Sequence, residues 1–315
     1  MNLSQEVLGI TFENPTVLAS GIWGITAAGW KEVARNGAGG ITTKSLWAKA
    51  HAGHRNPTII ETEHWMLNAV GLPDAGPEKA KEEISVYMED HPVPLIANIV
   101  AGQIDDFAKA AEAIKPLKPD AFEVNISCPN VEDEFGKPFA CSAPDAAKVT
   151  KAVRAVLGDD IPMFIKLSPN VENIGVIAKA CQAEGAAGFT VINTVGPGMA
   201  IDLRSRMPIL ANKVGGLSGP AIKPIAVKCI ADVYKATGGK CPIIGTGGVA
   251  SGEDAIELML AGATLIGIGT AVSKRGADVF HKVCDEMQYW CTNEGVDHIA
   301  DLVGGMHREL ASRKL

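Results

Sequence analysis

Cys128 lies in the run Glu123-Val124-Asn125-Ile126-Ser127-Cys128-Pro129-Asn130, where an alternating, strand-like segment ends without a glycine. Pro129 keeps the residue before it out of helical geometry and turns the chain into a loop. A thiol therefore stands at the end of a buried strand, between two asparagines able to hydrogen-bond a planar ligand. Other apolar runs also end in polar residues: Ser20, Lys44, Asn98, Lys166, Asn193 with Thr194, Thr246 and Thr270. Each alone reads as a satisfied strand-end group. With Asn125 they include two lysines and three asparagines, which are too costly to bury without partners. The lysines call for an anion or electron-rich partner and the asparagines for donor and acceptor partners, and a flat heteroaromatic ring rich in N–H and C=O groups supplies both.

Positioning these residues requires a scaffold that brings strand ends to one rim. Short β-rich runs recur at 16–20, 40–44, 94–99, 121–127, 163–168, 189–194, 242–247 and 265–270. Between and after them lie helix-compatible segments at 27–36, 78–90, 105–114, 144–157, 171–184, 220–237, 252–261 and 274–293, with apolar residues at three- and four-residue spacing. Eight strand–helix units without a break in composition predict an α/β fold, a (β/α)8 TIM barrel forming a single domain over 1–315, rather than a doubly wound sheet. Two connections exceed the usual βα length, 47–77 and 195–219, and a third, 129–143, follows the Cys128 strand. All three fall on the C-terminal rim, where barrel enzymes place their sites.

The last two strands end in Gly245-Thr246-Gly247-Gly248 and Gly267-Ile268-Gly269-Thr270. In a barrel, the loops at these positions commonly hold a phosphate with backbone N–H groups. Gly215-Gly216-Leu217-Ser218-Gly219-Pro220 is placed to add further amides. A Rossmann reading of 245–252 fails, because no acidic ribose partner follows at the required distance. Position alone thus favours a phosphorylated flat cofactor, and flavin mononucleotide (FMN) fits.

The totals narrow the class. The chain has 315 residues, of which 47% are hydrophobic and 21% charged, with a net charge of −7. It carries no basic stripe, which argues against nucleic acid. No apolar run approaches the roughly 20 residues of a membrane helix, and the N-terminus lacks the pattern of a signal peptide. Seven cysteines without a CxxC pair read as reduced and cytoplasmic, with no metal site. Any metal relay for electrons must then sit on another chain.

Eight segments, in this order, carry a resemblance: Ala19-Ser20-Gly21, Ile41-Thr42-Thr43-Lys44-Ser45, Met66-Leu67-Asn68-Ala69-Val70-Gly71-Leu72-Pro73, the stretch from Asn125 to Asn130, Ile165-Lys166-Leu167-Ser168-Pro169-Asn170, Ile192-Asn193-Thr194, Gly216-Leu217-Ser218-Gly219-Pro220 and Gly245-Thr246-Gly247-Gly248. The chain resembles class 1 dihydroorotate dehydrogenase along nearly its whole length, most of all the B-type catalytic subunit. The resemblance implies an FMN-dependent barrel that oxidises dihydroorotate to orotate in pyrimidine (UMP) biosynthesis. It implies Cys128 as catalytic base, taking a C5 proton while hydride leaves C6 for the flavin. It implies Asn68, Asn125, Asn130 and Asn193 as substrate amides, with Thr194 beside the last and Lys44 near both substrate and flavin. Backbone N–H groups of Ala69, Val70, Gly71 and Leu72 would receive the substrate carboxylate. FMN contacts would come from Ser20, Lys44, Ser45, Asn98, Asn125, Lys166, Ile192, Gly219, Gly247, Gly248, Gly269 and Thr270, with Lys166 stabilising the negative charge of reduced flavin. A separate electron-transfer subunit with FAD and an iron–sulfur cluster is the implied partner, in a homodimer or heterotetramer.

The sequence departs from the family pattern in two places. The loop after Asn130 contains Glu132-Asp133-Glu134 where B-type chains are richer in glycine, and Cys141 beyond it reads as lid packing. His51, His54, His64 and Trp65 also look unlike the family. The acidic lid keeps open an alternative substrate, a neutral dihydropyrimidine such as dihydrouracil or dihydrothymine.

Overall fold

A computed structural model describes residues 1–127 and 138–313. Eight parallel strands close a barrel in sequential order: β1 (Thr16–Leu18), β2 (Gly40–Thr42), β3 (Leu95–Ile99), β4 (Ala121–Asn125), β5 (Met163–Leu167), β6 (Gly188–Val191), β7 (Ile243–Thr246) and β8 (Leu265–Ile268), with β8 pairing back onto β1. Every residue of β3, β4 and β5 is buried, as expected for strands covered by helices outside and packed side chains inside. The TIM barrel anticipated from the sequence is the fold observed.

The helices that cover the barrel are α1 (Ala27–Arg35), α2 (Pro77–Met88), α3 (Ile104–Ile114), α4 (Ala143–Leu157), α5 (Ile174–Ala183), α6 (Lys223–Thr237), α7 (Gly252–Ala261), the short α8 (Ala271–Arg275) and α9 (Val279–Glu294). Their starts follow from side-chain caps: Thr26, Ser142, Asn173 and Ser251 each accept from an amide of the first turn. The helix expected over 274–293 is two helices, because Gly276 at φ +83° ends α8 before α9 starts. The strands are also shorter than expected at their C-terminal ends. Ser20, Lys44, Asn193 and Thr270 leave the ladder and turn toward the rim, so strand-forming composition extends past the hydrogen-bonded strand.

An N-terminal hairpin (Gln5–Val7 with Ile10–Phe12) was not anticipated. Its Val7 and Phe12 pack against Val17, Ile96, Ala121, Phe164, Ile244 and Leu265, sealing the barrel at the end opposite the rim. At the rim, the long loops after β2 and β6 join into one antiparallel sheet. Its strands run in the order Val195–Gly198, Gly215–Ser218, Met66–Asn68, Ile59–Glu61, with Gly216 opposite Asn68. Thr270 Oγ1 donates to Ser218 Oγ at 2.8 Å, and Ser273 Oγ to Glu61 Oε1 at 2.7 Å, tying this sheet to the chain after β8. Among the described residues, no helix is long and apolar enough to cross a membrane.

Candidate active site

A cavity of about 360 Å³ opens at the C-terminal ends of the strands, beneath the rim sheet. Of the residues singled out from the sequence, Ser20, Lys44, Ser45, Asn68, Val70, Gly71, Leu72, Asn125, Lys166, Ile192, Asn193, Thr194, Gly219, Gly247, Gly248, Gly269 and Thr270 line it. Cys128 and Asn130, and with them the acidic lid, lie outside the described residues. Ala69 does not line the cavity. It is fully buried, and its amide donates to Thr58 O at 2.8 Å within the rim, so that amide is already engaged.

On one side the wall is made of side chains. Asn125 at the end of β4 is the hub: Ser127 Oγ donates to its Oδ1 at 3.1 Å, Asn193 Nδ2 lies 3.5 Å from the same oxygen, and its own Nδ2 reaches Ser45 Oγ at 3.4 Å. Asn193 Nδ2 also donates to Ser127 Oγ at 3.0 Å, and its Oδ1 accepts from the Thr194 amide at 2.8 Å. Ser127 is fully buried and missed by the sequence reading, although its place two residues after Asn125 puts it on the same face of the extended chain.

Beneath this layer sits a charge that was also missed. Glu123, 1% exposed, accepts at Oε1 from Lys166 Nζ at 3.4 Å and from Asn98 Nδ2, and at Oε2 from Thr190 Oγ1 at 2.5 Å. Lys166 therefore has a partner inside the barrel, where the sequence had called for one from a ligand. The signal was available: an acid at i−2 from Asn125 in an apolar strand must face the barrel interior with it. Asn98 does not line the cavity directly; it stands beside Glu123 in register, on β3.

On the other side the wall is made of backbone. The segments after β7 and β8 run along the cavity at Thr246–Ala250 and Gly267–Ala271. Among the described residues, the amides of Gly247, Gly248, Gly269 and Thr270 donate to no protein acceptor. Gly248 has φ +80°, and a Cβ there would come within 2.5 Å of the Lys223 Cβ. The glycine is thus required by the loop's fit against the start of α6. Asp254 pins this loop, accepting from the amides of Ala250 and Ser251 at 2.9 Å and pairing with Lys223 at 2.7 Å. Burial pushes the Asp254 carboxyl up, but the Lys223 ammonium, the Ala250 amide and the Ser251 side chain outweigh it and hold the group below its usual range.

Three buried polar atoms near the cavity have no partner among the described residues: Ser20 Oγ, Asn98 Oδ1 and Thr246 Oγ1. Orphaned atoms of this kind are rare in folded proteins, and their clustering with the four unengaged amides fits a bound group rich in phosphate oxygens and ring N–H and C=O groups. Thiol chemistry is confined as well. Burial pushes the thiols of Cys181, Cys229 and Cys284 up to about 11, and those of Cys241 and Cys291 upward, so none of the five offers a thiolate near neutrality. No group of three or more histidine, cysteine or acidic residues among the described ones could hold a metal ion.

The dihydroorotate dehydrogenase family model matches residues 2–290. The chain belongs to the dihydroorotate dehydrogenase family. Enzymes of this family are flavin-dependent oxidoreductases. Among its relatives, the "Dihydroorotate dehydrogenase B (NAD(+)), catalytic subunit" of Methanocaldococcus jannaschii is 43% identical over 308 residues, covering 97% of this chain and 98% of that protein. The proteins of the same name from Methanosarcina acetivorans (41% identical, 96% and 95% covered) and Pyrococcus horikoshii (40%, 96% and 97%) match over similar lengths. In fold, the chain resembles the Eimeria tenella dihydroorotate dehydrogenase crystallised with ferulenol, with a TM-score of 0.85 over 98% of this chain and 89% of that one, at 23% identity.

Proposed function

We propose that this chain oxidises dihydroorotate to orotate in pyrimidine biosynthesis, as the FMN-binding catalytic subunit of a B-type enzyme. What carries the reading is the cavity at the strand ends. It combines Lys44 and Lys166, three asparagines and a wall of amides that donate to no acceptor among the described residues, in a chain related along nearly its whole length to B-type catalytic subunits.

FMN, when bound, supplies the hydride acceptor, and that redox chemistry belongs to the cofactor. The amides of Gly247, Gly248, Gly269 and Thr270, with Gly219 nearby, would hold its phosphate. Ser20, Ser45, Asn98, Asn125, Lys166 and Ile192 would hold the ring system, with the Lys166 ammonium placing positive charge where reduced flavin carries negative charge. Asn68, Asn125, Asn130 and Asn193, flanked by Thr194, orient the pyrimidine through its N–H and C=O groups. Lys44 and the amides of Val70, Gly71 and Leu72 take its carboxylate. Cys128 removes the C5 proton from the ring face away from the flavin. The resemblance to subunits named for NAD(+) extends the proposal to a separate FAD and iron–sulfur subunit that passes electrons to NAD, within a cytoplasmic homodimer or heterotetramer.

The test is anaerobic. The purified yellow protein is mixed with dihydroorotate or with dihydrouracil, and flavin absorbance is followed at roughly 450 nm, where oxidised flavin absorbs. Bleaching by dihydroorotate is expected. Bleaching by dihydrouracil alone would transfer the protein to the dihydropyrimidine dehydrogenase class.

A further inference from the structure

Among the described residues, Glu123 and Lys166 are the two charged side chains that are buried, and the chemistry above uses only the lysine. Inward-facing positions of a barrel strand are ordinarily filled by apolar layers. A buried ion pair is often no more stabilising than a well-packed apolar substitute. The fold alone therefore gives no reason for an acid at this position.

The hydrogen bonds supply one. Four successive strands each direct a polar side chain to the same point: Asn98 from β3, Glu123 from β4, Lys166 from β5 and Thr190 from β6. Asn98 pairs with Glu123, and Lys166 with Thr190, in the strand register. A carboxylate can only accept hydrogen bonds. By taking the NH2 group of Asn98, Glu123 obliges that amide to turn its oxygen away, and Asn98 Oδ1 is the buried atom left without a protein partner. By taking Lys166 Nζ at 3.4 Å, the same oxygen fixes where the ammonium sits. Thr190 Oγ1, at 2.5 Å, locks the other carboxylate oxygen and so its rotation.

We propose that Glu123 is a positioning residue for the cofactor floor. It sets Lys166 as the cation that the flavin ring meets and holds Asn98 behind it with its acceptor oxygen turned away from the carboxylate. This inference rests on the FMN reading of the cavity.

A double-mutant cycle on the full-length, FMN-loaded protein tests it. The midpoint potential of bound relative to free FMN gives the ratio of affinities for reduced and oxidised cofactor, and a tenfold change in that ratio is about 30 mV for a two-electron couple. In the wild-type background, Lys166→Met is expected to lower the ratio at least about tenfold, since a unit charge is removed close to the ring. In a Glu123→Gln background the same substitution is expected to lower it less than about threefold, because the ammonium has lost its anchor. The cycle cancels any direct effect of the Glu123 charge on the flavin. An equal or larger Lys166 effect in that background, or no Lys166 effect in the wild type, would overturn the inference. Should Glu123→Gln fail to fold, Thr190→Val frees the second carboxylate oxygen and is expected to shrink the Lys166 effect in the same direction. An unchanged effect there would be equally fatal. A wild-type protein that takes up no FMN would remove the functional reading and this inference together, whereas an undiminished Lys166 effect removes the inference alone.

Discussion

The two walls of the cavity are built by opposite means. From β3 to β6 the wall is made of side chains: Asn125, Lys166 and Asn193 line the cavity, Asn193 reaching Asn125, while Asn98, Lys166 and Thr190 converge on Glu123 behind it. Around β7 and β8 it is backbone, with unengaged amides on glycine-rich turns held from behind by Asp254, Lys223 and the Ser251 cap. A side-chain wall distinguishes ligands by what it donates and accepts, and one substitution at a time can retune it. A backbone wall accepts any group that satisfies N–H donors, and it fails mainly when a Cβ is forced into it. Under the proposed function, ring chemistry and phosphate anchorage fall to parts of the molecule that tolerate change differently.

Substitutions in each wall break this contrast in graded ways. The largest effect is expected for Glu123→Ala, which leaves Lys166 buried without its carboxylate. Breaking such a pair costs about 3–5 kcal/mol, to be read from chemical denaturation of the cofactor-free protein; a loss under about 1 kcal/mol would show that water or another group replaces the acid. Next is Cys128→Ala, expected to keep FMN but slow anaerobic reduction by dihydroorotate about a hundredfold, and stopped-flow absorbance that matches the wild type would remove the cysteine from its role. Gly248→Ala comes third. It places a methyl against Lys223 at a positive φ and should cost about 1–3 kcal/mol, appearing as weaker FMN retention with the substrate-side network intact.

The smallest expected effect concerns pH. Because the folded protein holds the Asp254 carboxyl below its ordinary value, the stability it contributes is fully present above that value and is lost as pH falls through the folded one. Thermal stability and FMN retention should therefore be insensitive to this group from neutrality to about pH 5, and its contribution should fade only below about pH 4. Asp254→Asn is expected to abolish that acid-side loss. An acid profile identical to wild type would place the controlling carboxylate elsewhere.

Much of this architecture was legible in the residues. Eight apolar runs with helical spacing between them carried the barrel, because parallel strands buried on both faces have little else they can be. The polar residues just past each run carried the site, since they face a common rim once the strands are parallel. The rim sheet was not legible: its pairing of Met66–Asn68 with Gly215–Ser218 joins two loops that look unrelated until the barrel brings them together. Strand ends were placed too far along because Ser20, Lys44 and Thr270 sit in strand-like sequence but leave the ladder. Glu123 was overlooked for a different reason. Its inward direction follows from its spacing to Asn125, but its partners stand on three other strands, and no local pattern names them.

The rim sheet also has a bearing on how the protein comes into being. Gly216 and Asn68 lie about 150 residues apart in the chain yet face each other across the mouth of the cavity. Contacts of such long sequence separation are slow to form, because the loop entropy is lost before any contact repays it. A growing chain can assemble β1 to β5 while its first rim loop holds only the local pair of Ile59–Glu61 with Met66–Asn68 and still lacks the strand that the second loop brings. Pulse-labelled hydrogen exchange during refolding should find the amides of 215–218 protected later than those of the local hairpin of 59–61 with 66–68. The entrance of the site is then among the last parts of the molecule to take shape, and a half-made chain would bind nothing there.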